Sequence, residues 1–379
     1  MLWELEARTL KSMKLLNHAH IVKCIAAIRR GDSRYFLFPW ADGDSLRDYW
    51  ESTPRQSPQK KNIYQTLVQL RGLADALDKL HNFNVGELEP ETFVPDGEPM
   101  PFSGPAMIFQ NEMGDYQNVT HNQFIRHGDL KPENILNFQY GEAGLGRLKI
   151  ADIGLAKQHI VATEKRSHQT STRYGTTRYE APETVTAIHA RSRLYDIWSM
   201  GCITLEFIIW NLYGNDELLN FYAQVQGNAQ HICPYFEVSE ATGKAEVHSV
   251  VRQWLEHILN TDPECSQESA IRDLLKVVQT RLLVVRLPLS QGSSLDPSQR
   301  LEMLDMGETI TSYRATARQF YEALEAIISK TDRPNYLLTG KDRKIARPSA
   351  AKSSNLLSPL AAQRKEPRTE GIVTKQESQ

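Results

Sequence analysis

Three polar residues within six positions have the chemistry that phosphoryl transfer requires. Asp129 could accept the proton of an attacking hydroxyl, Lys131 could neutralise charge on a transferring phosphoryl group, and Asn134 offers a side-chain oxygen that suits Mg²⁺. They lie between two apolar segments, Phe124-Ile125 and Ile135-Leu136, so a short loop would join two β-like segments. Because phosphoryl transfer depends on positioning and charge stabilisation, this spacing is typical of a phosphoryl-transfer loop.

The composition places limits on the kind of protein that carries this loop. A chain of 379 residues, 40% hydrophobic and 24% charged, can bury one or two ordinary cores. A formal net charge of −2 gives no reason to expect nucleic acid or a membrane surface as a partner. The four cysteines have no metal-ligand spacing, the N-terminus does not resemble a signal peptide, and the longest apolar run, 202–210, is too short to span a bilayer. We therefore expect an intracellular protein, cytoplasmic or nuclear, with reduced thiols.

Periodic apolar residues predict the elements that position the loop. Leucines at 67, 70, 73, 77 and 80 mark one face of a helix over 64–81. A strand is predicted at 148–150, directly before Asp152, and an apolar helix at 195–210. Further helices are predicted at 2–16, 218–225, 247–259, 269–282 and 311–328.

The loop and three later segments resemble eukaryotic-type protein kinases. The sequence of residues 127–134, H-G-D-L-K-P-E-N, is similar to the H-R-D-L-K-P-E-N catalytic loop, and its ending resembles the serine/threonine branch. Residues 152–154 (D-I-G), 181–183 (A-P-E) and 196–201 (D-I-W-S-M-G) resemble the D-F-G, A-P-E and D-x-W-S-x-G segments. The resemblance covers about residues 1–330. It is to a fungal-like form of the kinase domain, with H-G-D in place of H-R-D. It implies an α+β, two-lobed protein kinase-like fold.

The resemblance implies a protein serine/threonine kinase that uses ATP and Mg²⁺ and acts on a protein substrate. Asp129 would be the base, Lys131 would steady the γ-phosphoryl oxygens, and Asn134 with Asp152 would hold the metal. Thr176 would contact the catalytic loop and, with Thr177, face the substrate. Four residues would have structural roles: His127, Glu183, Asp196 and Arg314. In that group Asp196 would accept hydrogen bonds from the catalytic-loop backbone, and Glu183 would pair with Arg314.

The resemblance also implies where the nucleotide lies. The residues that would line its site are Phe38, Pro39, Trp40, Ala41, Asp44, Glu133 and Leu136. Phe38 would occupy the gatekeeper position, the backbone of 39–41 would edge the adenine, and Asp44 would meet the ribose. Glu6 is the candidate glutamate for holding the ATP-positioning lysine of the family, with Glu4 or a shifted register as alternatives.

The resemblance divides the chain into three regions. Residues 1–41 would form a truncated small lobe, comprising the αC helix, the fourth and fifth strands of the family and the hinge. No glycine-rich loop or β3 lysine precedes that helix in the sequence, so either the start of the protein is missing from this sequence or the protein has lost those functions. Residues 42–329 would form the large lobe, with an insertion at about 84–124 that is either a docking loop or inert. Residues 330–379 carry eleven Lys and Arg against five Asp and Glu, which predicts a disordered basic tail.

Two other functions are compatible with parts of the sequence. The missing glycine loop and lysine favour a pseudokinase scaffold, whereas Asp129, Asn134 and Asp152 favour an enzyme. The H-G-D-L sequence also resembles phosphotransferases of small alcohols, which usually lack the A-P-E and D-x-W-S-x-G segments. Gly128 stands where protein kinases carry the arginine that binds a phosphorylated activation loop, so loop phosphorylation need not be the switch. Arg126, two residues earlier, is the candidate to replace it.

Overall fold

The computed structural model describes ten stretches of the chain. They are residues 16–31, 33–54, 57–83, 126–141, 144–153, 177–186, 192–229, 232–239, 242–288 and 313–341. The predicted helix 2–16 (except Leu16), Glu6 and the insertion 84–124 lie outside these residues, as do Gly154 and Thr176.

Within the described stretches the structure is mainly helical, with three small antiparallel sheets. The strands are β1 (Ala26–Arg30), β2 (Ser33–Leu37), β3 (Ile135–Phe138), β4 (Arg147–Ile150), β5 (Phe236–Val238) and β6 (Ala245–Val247). The helices are α1 (Leu46–Ser52), α2 (Lys60–His81), α3 (Glu183–Thr186), α4 (Leu194–Tyr213), α5 (Asn215–Gln226), α6 (Ser249–Thr261), α7 (Ala270–Val277) and α8 (Ala317–Ile328). Short 3-10 turns cover Pro132–Asn134 and Pro263–Cys265, and a π-helical turn, Val278–Leu282, continues α7.

Helix α4 forms the centre of the core. Its residues from Tyr195 to Tyr213 are all buried, as a helix that is apolar around most of its circumference requires. Gly201 lets the π-helical turn approach closely, since a Cβ at that position would lie 2.9 Å from side-chain atoms of Leu282 and Leu283. Helix α2 packs against α8 on one face and contacts α4 and β4 as well.

Backbone pairing joins β3, the strand that follows the catalytic loop, to β4. In the β3–β4 hairpin, Ile135 pairs with Ile150 and Phe138 with Arg147. Single bridges extend this hairpin, from Ile150 to Ile21 on one side and from Leu136 to Ser45 on the other. The hairpin that follows the loop is therefore held on both edges by residues distant in the sequence.

The structure corrects two expectations for the C-terminal part of the chain. The helix predicted at 311–328 begins only at Ala317, because Thr316 and Gln319 form a capping box, and Arg314 precedes the helix. The tail predicted from Lys330 is wrong up to Lys341. Tyr336 and Thr339 are buried, and the Thr339 amide donates to Glu264 Oε2 at 2.8 Å.

None of the helices in the described stretches is long and apolar enough to cross a membrane. The combination of helices with small sheets is of the α+β class.

Candidate active site

The three polar residues of the catalytic loop meet at one carboxylate. Asp129 Oδ2 accepts a hydrogen bond from Lys131 Nζ at 2.9 Å and another from Asn134 Nδ2 at 3.2 Å. Asn134 Nδ2 also donates to the Asp129 backbone oxygen at 2.8 Å. Lys131 and Asp129 are largely but not completely buried, so the group is rigid and still accessible. The spacing that suggested phosphoryl transfer thus produces one cluster.

Asp196, at the start of α4, holds the loop backbone. Its Oδ2 accepts from the His127 amide and its Oδ1 from the Gly128 amide, both at 2.8 Å, as the resemblance predicts. His81, at the end of α2, approaches Oδ2 at 2.8 Å. Burial by itself would raise the pKa of Asp196, but the hydrogen bond and charge of His81, with smaller contributions from His127 and Gly128, outweigh it and lower that pKa. The carboxylate is therefore held in its charged, accepting form.

Asp152 is brought to the loop by the backbone that precedes it. The Ala151 amide donates to the Asn134 backbone oxygen at 2.9 Å, and His127 Nε2 lies 2.7 Å from the Ala151 oxygen. Asp152 has a φ of 63°, which a non-glycine residue adopts only when its surroundings impose it. Such imposed backbone conformations concentrate at functional sites.

The donor set fits Mg²⁺ better than a metal held by protein ligands alone. Among the residues that the structure describes, no cluster of three or more His, Cys, Asp or Glu side chains could hold a metal. An asparagine and an aspartate suit Mg²⁺, which commonly binds one or two protein oxygens together with substrate phosphates. Asn134 points its Nδ2 at Asp129, so its Oδ1 is the atom left for a cation.

The residues that follow the predicted hinge pair with β3. The Gly43 amide donates to the Asn137 oxygen at 3.0 Å, and the Asn137 amide donates to the Asp44 oxygen at 2.8 Å. These bonds place Asp44 next to Leu136, two of the residues predicted to line the nucleotide site. Trp40 is 85% exposed. Phe38 is also exposed, whereas Pro39 and Ala41 are half-buried.

Asp42 fastens the same segment to the β3–β4 turn. Its carboxylate accepts from the amides of Gln139 at 2.7 Å and Gly141 at 3.2 Å. The hydrogen bond from Gln139 has the largest effect and lowers the pKa of Asp42; desolvation opposes it, and the hydrogen bond from Gly141 adds a smaller lowering. This fastening was not predicted from the sequence, although an aspartate before a glycine is a familiar turn signal.

Glu133 has a partner that the sequence did not indicate. Its Oε1 accepts from Arg47 Nε, on α1, at 3.1 Å. Burial would raise the pKa of Glu133, but the positive charge of Arg47, together with hydrogen bonds to the carboxylate and the charge of Lys131, outweighs burial and lowers that pKa. Its side chain thus contacts Arg47, whereas the sequence placed Glu133 among the nucleotide-lining residues. Arg47 is itself buried, and no sequence signal marks it, since arginines are mostly exposed.

The pair predicted between Glu183 and Arg314 is present and buried. Both arginine terminal nitrogens reach the carboxylate, Nη1 to Oε1 at 2.8 Å and Nη2 to Oε2 at 3.0 Å. Arg314 also donates to the backbone oxygens of Val284 and Leu194. The interaction thereby joins the segment around Glu183 to the base of α4 and to the residues before α8. Thr177 lies six residues before Glu183, at the edge of the described residues.

Gly128 and Arg126 lie side by side. Gly128 has a φ of 78°, which favours glycine, and a Cβ at that position would lie 3.6 Å from Arg126 Nε. The Arg126 guanidinium lies 5.4 Å from the centre of the Tyr195 ring. The Arg126 side chain therefore lies beside Gly128, the position at which the resemblance expects an arginine.

Comparison with known proteins agrees with this geometry. Residues 114–275 match the family model described as a protein kinase domain. The chain is similar to the serine/threonine-protein kinase ICK of Mus musculus, with 32% identity over 207 residues that cover 54% of this chain and 24% of that protein. It is also similar to the serine/threonine-protein kinase MAK of Homo sapiens, with 30% identity over 200 residues that cover 52% of this chain and 23% of that protein.

The match and the site together indicate a class of protein. Residues 114–275 are similar in sequence to protein kinase domains, and the two related proteins are serine/threonine protein kinases. It spans about a quarter of the length of the curated relatives that it matches.

Proposed function

We propose that the chain transfers the γ-phosphoryl group of ATP to a serine or threonine hydroxyl of a protein, with Mg²⁺ as cofactor. The observation that carries the proposal is the convergence of Lys131 Nζ and Asn134 Nδ2 on Asp129 Oδ2, with Asp152 joined to Asn134 through Ala151. The names of the related proteins support the serine/threonine class.

In this proposal each residue of the cluster has a separate role. Asp129 orients the substrate hydroxyl and accepts its proton, and Lys131 is placed to neutralise charge on the phosphoryl oxygens. Asn134 Oδ1 and Asp152 would hold Mg²⁺, which would supply the charge stabilisation of the β- and γ-phosphates. Asp196 and His127 touch none of the reacting atoms and hold the loop in place. Position and charge, without a covalent intermediate, would provide the rate.

The nucleotide is proposed to lie between the hinge and β3. The exposed ring of Trp40 offers apolar surface beside the backbone of residues 39–41, and Asp44 lies next to Leu136. Pro39 lacks an amide hydrogen but keeps its carbonyl oxygen, which an adenine amine could use. Thr176 and Thr177 are proposed to face the substrate, and Glu6 to hold an ATP-positioning lysine.

A phosphotransfer assay with matched variants tests the proposal. The full chain is incubated with Mg²⁺, ATP labelled at the γ-phosphate and a mixed library of serine- and threonine-containing peptides. We expect Asp129→Asn to lower the rate of transfer at least about a hundredfold, because the asparagine has the size of the aspartate but cannot act as the base. Asp332→Asn, which changes an exposed aspartate remote in sequence from the cluster, is the matched control and should leave transfer unchanged.

Thermal stabilisation separates the metal role from the base role. Mg²⁺ with ATP should raise the unfolding temperature of the wild type and of Asp129→Asn, and should not raise that of Asp152→Asn. Stabilisation of all three proteins without any phosphotransfer would indicate a nucleotide-binding scaffold. Stabilisation that persists in Asp152→Asn would remove Asp152 from the metal site.

A further inference from the structure

A buried polar cluster lies directly behind the catalytic loop and is centred on Arg47. Besides Glu133, the Arg47 guanidinium donates from Nη2 to the Tyr179 hydroxyl at 2.6 Å and from Nη1 to the Tyr222 hydroxyl. Its Nη2 also lies 3.7 Å from Glu206 Oε2, in the middle of α4. One side chain of α1 thus contacts the 3-10 turn that contains Glu133, the segment before α3, and helices α4 and α5.

The inner half of this cluster is complete without Glu133. Glu206 accepts hydrogen bonds from the hydroxyls of Tyr179 at 2.9 Å and Tyr235 at 2.6 Å. A second arginine, Arg178, lies 3.9 Å from the centre of the Tyr222 ring and adds positive charge near Glu206. Burial raises the pKa of Glu206, although Arg47, Tyr235 and Arg178 oppose this effect. The buried glutamate therefore has partners that keep it in place if the outer contact is removed.

The outer half, as far as the described residues show it, is the contact between Arg47 and Glu133. Glu133 is the middle residue of the 3-10 turn Pro132–Asn134, which joins Lys131 to β3. The turn is closed by two backbone bonds, from the Asn134 amide to the Lys131 oxygen at 2.9 Å and from the Ile135 amide to the Pro132 oxygen. Helix α1 is itself fixed by the capping box of Ser45 and Asp48, so Arg47 is presented from a rigid support.

We propose that Arg47 is a positioning residue for phosphoryl transfer, because its bond to Glu133 fixes the turn that carries Lys131 and Asn134. This inference rests on the proposed function and adds to it a residue that neither the loop sequence nor the family match identifies. Small displacements of reacting groups lower rates strongly, so loosening the turn should reduce the rate of transfer more than nucleotide binding.

Glu133→Gln separates positioning from folding. This change removes the charge of the outer partner and leaves the contacts of Arg47 with Tyr179, Tyr222 and Glu206 intact. We expect kcat to fall about tenfold with the KM for ATP changed less than about twofold, and the unfolding temperature to remain within about 2 °C. Tyr222→Phe is the matched control, since it removes an inner bond of the same arginine and should leave kcat unchanged.

Hydrogen–deuterium exchange reads the same effect without phosphotransfer. In Glu133→Gln the amides of Asn134 and Ile135 should exchange at least about threefold faster than in the wild type, whereas Tyr222→Phe should leave their exchange unchanged. Arg47→Lys keeps the positive charge, but a lysine cannot reach all the partners of the arginine. The exchange rates of Asn134 and Ile135 in this variant should therefore lie between those of the wild type and those of Glu133→Gln.

The outcomes keep the two proposals apart. If the wild type transfers no phosphate and the turn exchanges faster in Glu133→Gln, the proposed function fails while the bond of Arg47 still fixes the turn. Unchanged exchange in Glu133→Gln would overturn the role of Arg47, whatever the activity of the wild type. Faster exchange with an unchanged kcat in an active wild type would also overturn it, because the fixed turn would then have no effect on catalysis.

Discussion

At the scale of single residues, the site depends on buried charges that each have more than one partner. Asp196 accepts hydrogen bonds from two backbone amides and lies beside His81, and Arg314 donates hydrogen bonds to a carboxylate and two backbone oxygens. A buried charge is costly unless it is paired and hydrogen-bonded, so these residues hold their neighbours in one arrangement. The residues in contact with the reacting groups can then remain partly exposed, as Asp129 and Lys131 are.

The Glu183–Arg314 pair provides the sharpest test at this scale. Glu183→Gln would leave Arg314 buried without its counter-charge, and removing one end of a buried pair costs about 3 kcal/mol of unfolding free energy. Urea denaturation of the full chain measures the change. Glu322→Gln, in an exposed ion pair with Arg318 where both side chains are 57% exposed, is the control and should cost less than about 0.5 kcal/mol. Equal losses in both variants would show that burial of the pair does not matter.

At the scale of elements, apolar periodicity predicted the helices well and their ends less well. The helix predicted at 64–81 is Lys60–His81, and the one predicted at 269–282 is Ala270–Val277 continued by a π-helical turn. The predicted start of α8 was wrong, because the backbone at Arg314 is not helical and its side chain extends toward Glu183. The Thr316 and Gln319 capping box was readable in the sequence and marks the true start.

The packing of helix α2 against the segment before β1 depends on a neutral histidine. The His20 ring lies over Gly72, where a Cβ would be 2.1 Å from the ring, and Nδ1 donates to the Leu148 oxygen at 2.7 Å. Burial, aided by the charges of His18, Arg147 and Arg71, lowers the pKa of His20 to about 4, although the bond to Leu148 opposes this. The protonated form is therefore disfavoured in the folded protein.

The lowered pKa of His20 predicts a loss of stability in mild acid. Because the unfolded chain binds this proton more tightly than the folded one, His20 lowers stability as the pH falls from about 6.5 toward 4, and has no such effect above that range. The loss is about 1 kcal/mol between pH 7 and 5.5 and approaches about 3 kcal/mol near pH 4. His20→Asn, which can keep the bond to Leu148, should show a shallower fall of unfolding temperature over pH 7 to 5.5. An identical fall in both proteins would refute this account.

At the scale of the whole molecule, the local motifs were predictable and the long-range partners were not. The meeting of Asp129, Asn134 and Asp196 follows from motifs that the sequence displays. Arg47 was missed because its partners come from four segments up to 175 residues away, and nothing local marks an arginine for burial. The packing of residues 330–341 was missed because the prediction rested on the average composition of the last fifty residues. That average is basic and hides the small number of residues that pack.

One of these packing residues, Tyr336, tests how far the folded unit extends. Its ring is only 2% exposed, its hydroxyl donates to Asp273 Oδ2 at 2.6 Å, and its backbone oxygen accepts from the Ala270 amide at 2.9 Å, at the start of α7. Tyr336→Ala in the full chain should therefore lower the free energy of unfolding by about 3 kcal/mol, as for other large buried aromatic residues. Tyr64→Ala, at a tyrosine of α2 that is 42% exposed, is the matched control and should cost less than about 1 kcal/mol. If both substitutions have the same small effect in urea denaturation, residues 330–341 do not contribute to the folded unit and the boundary at Lys330 is restored.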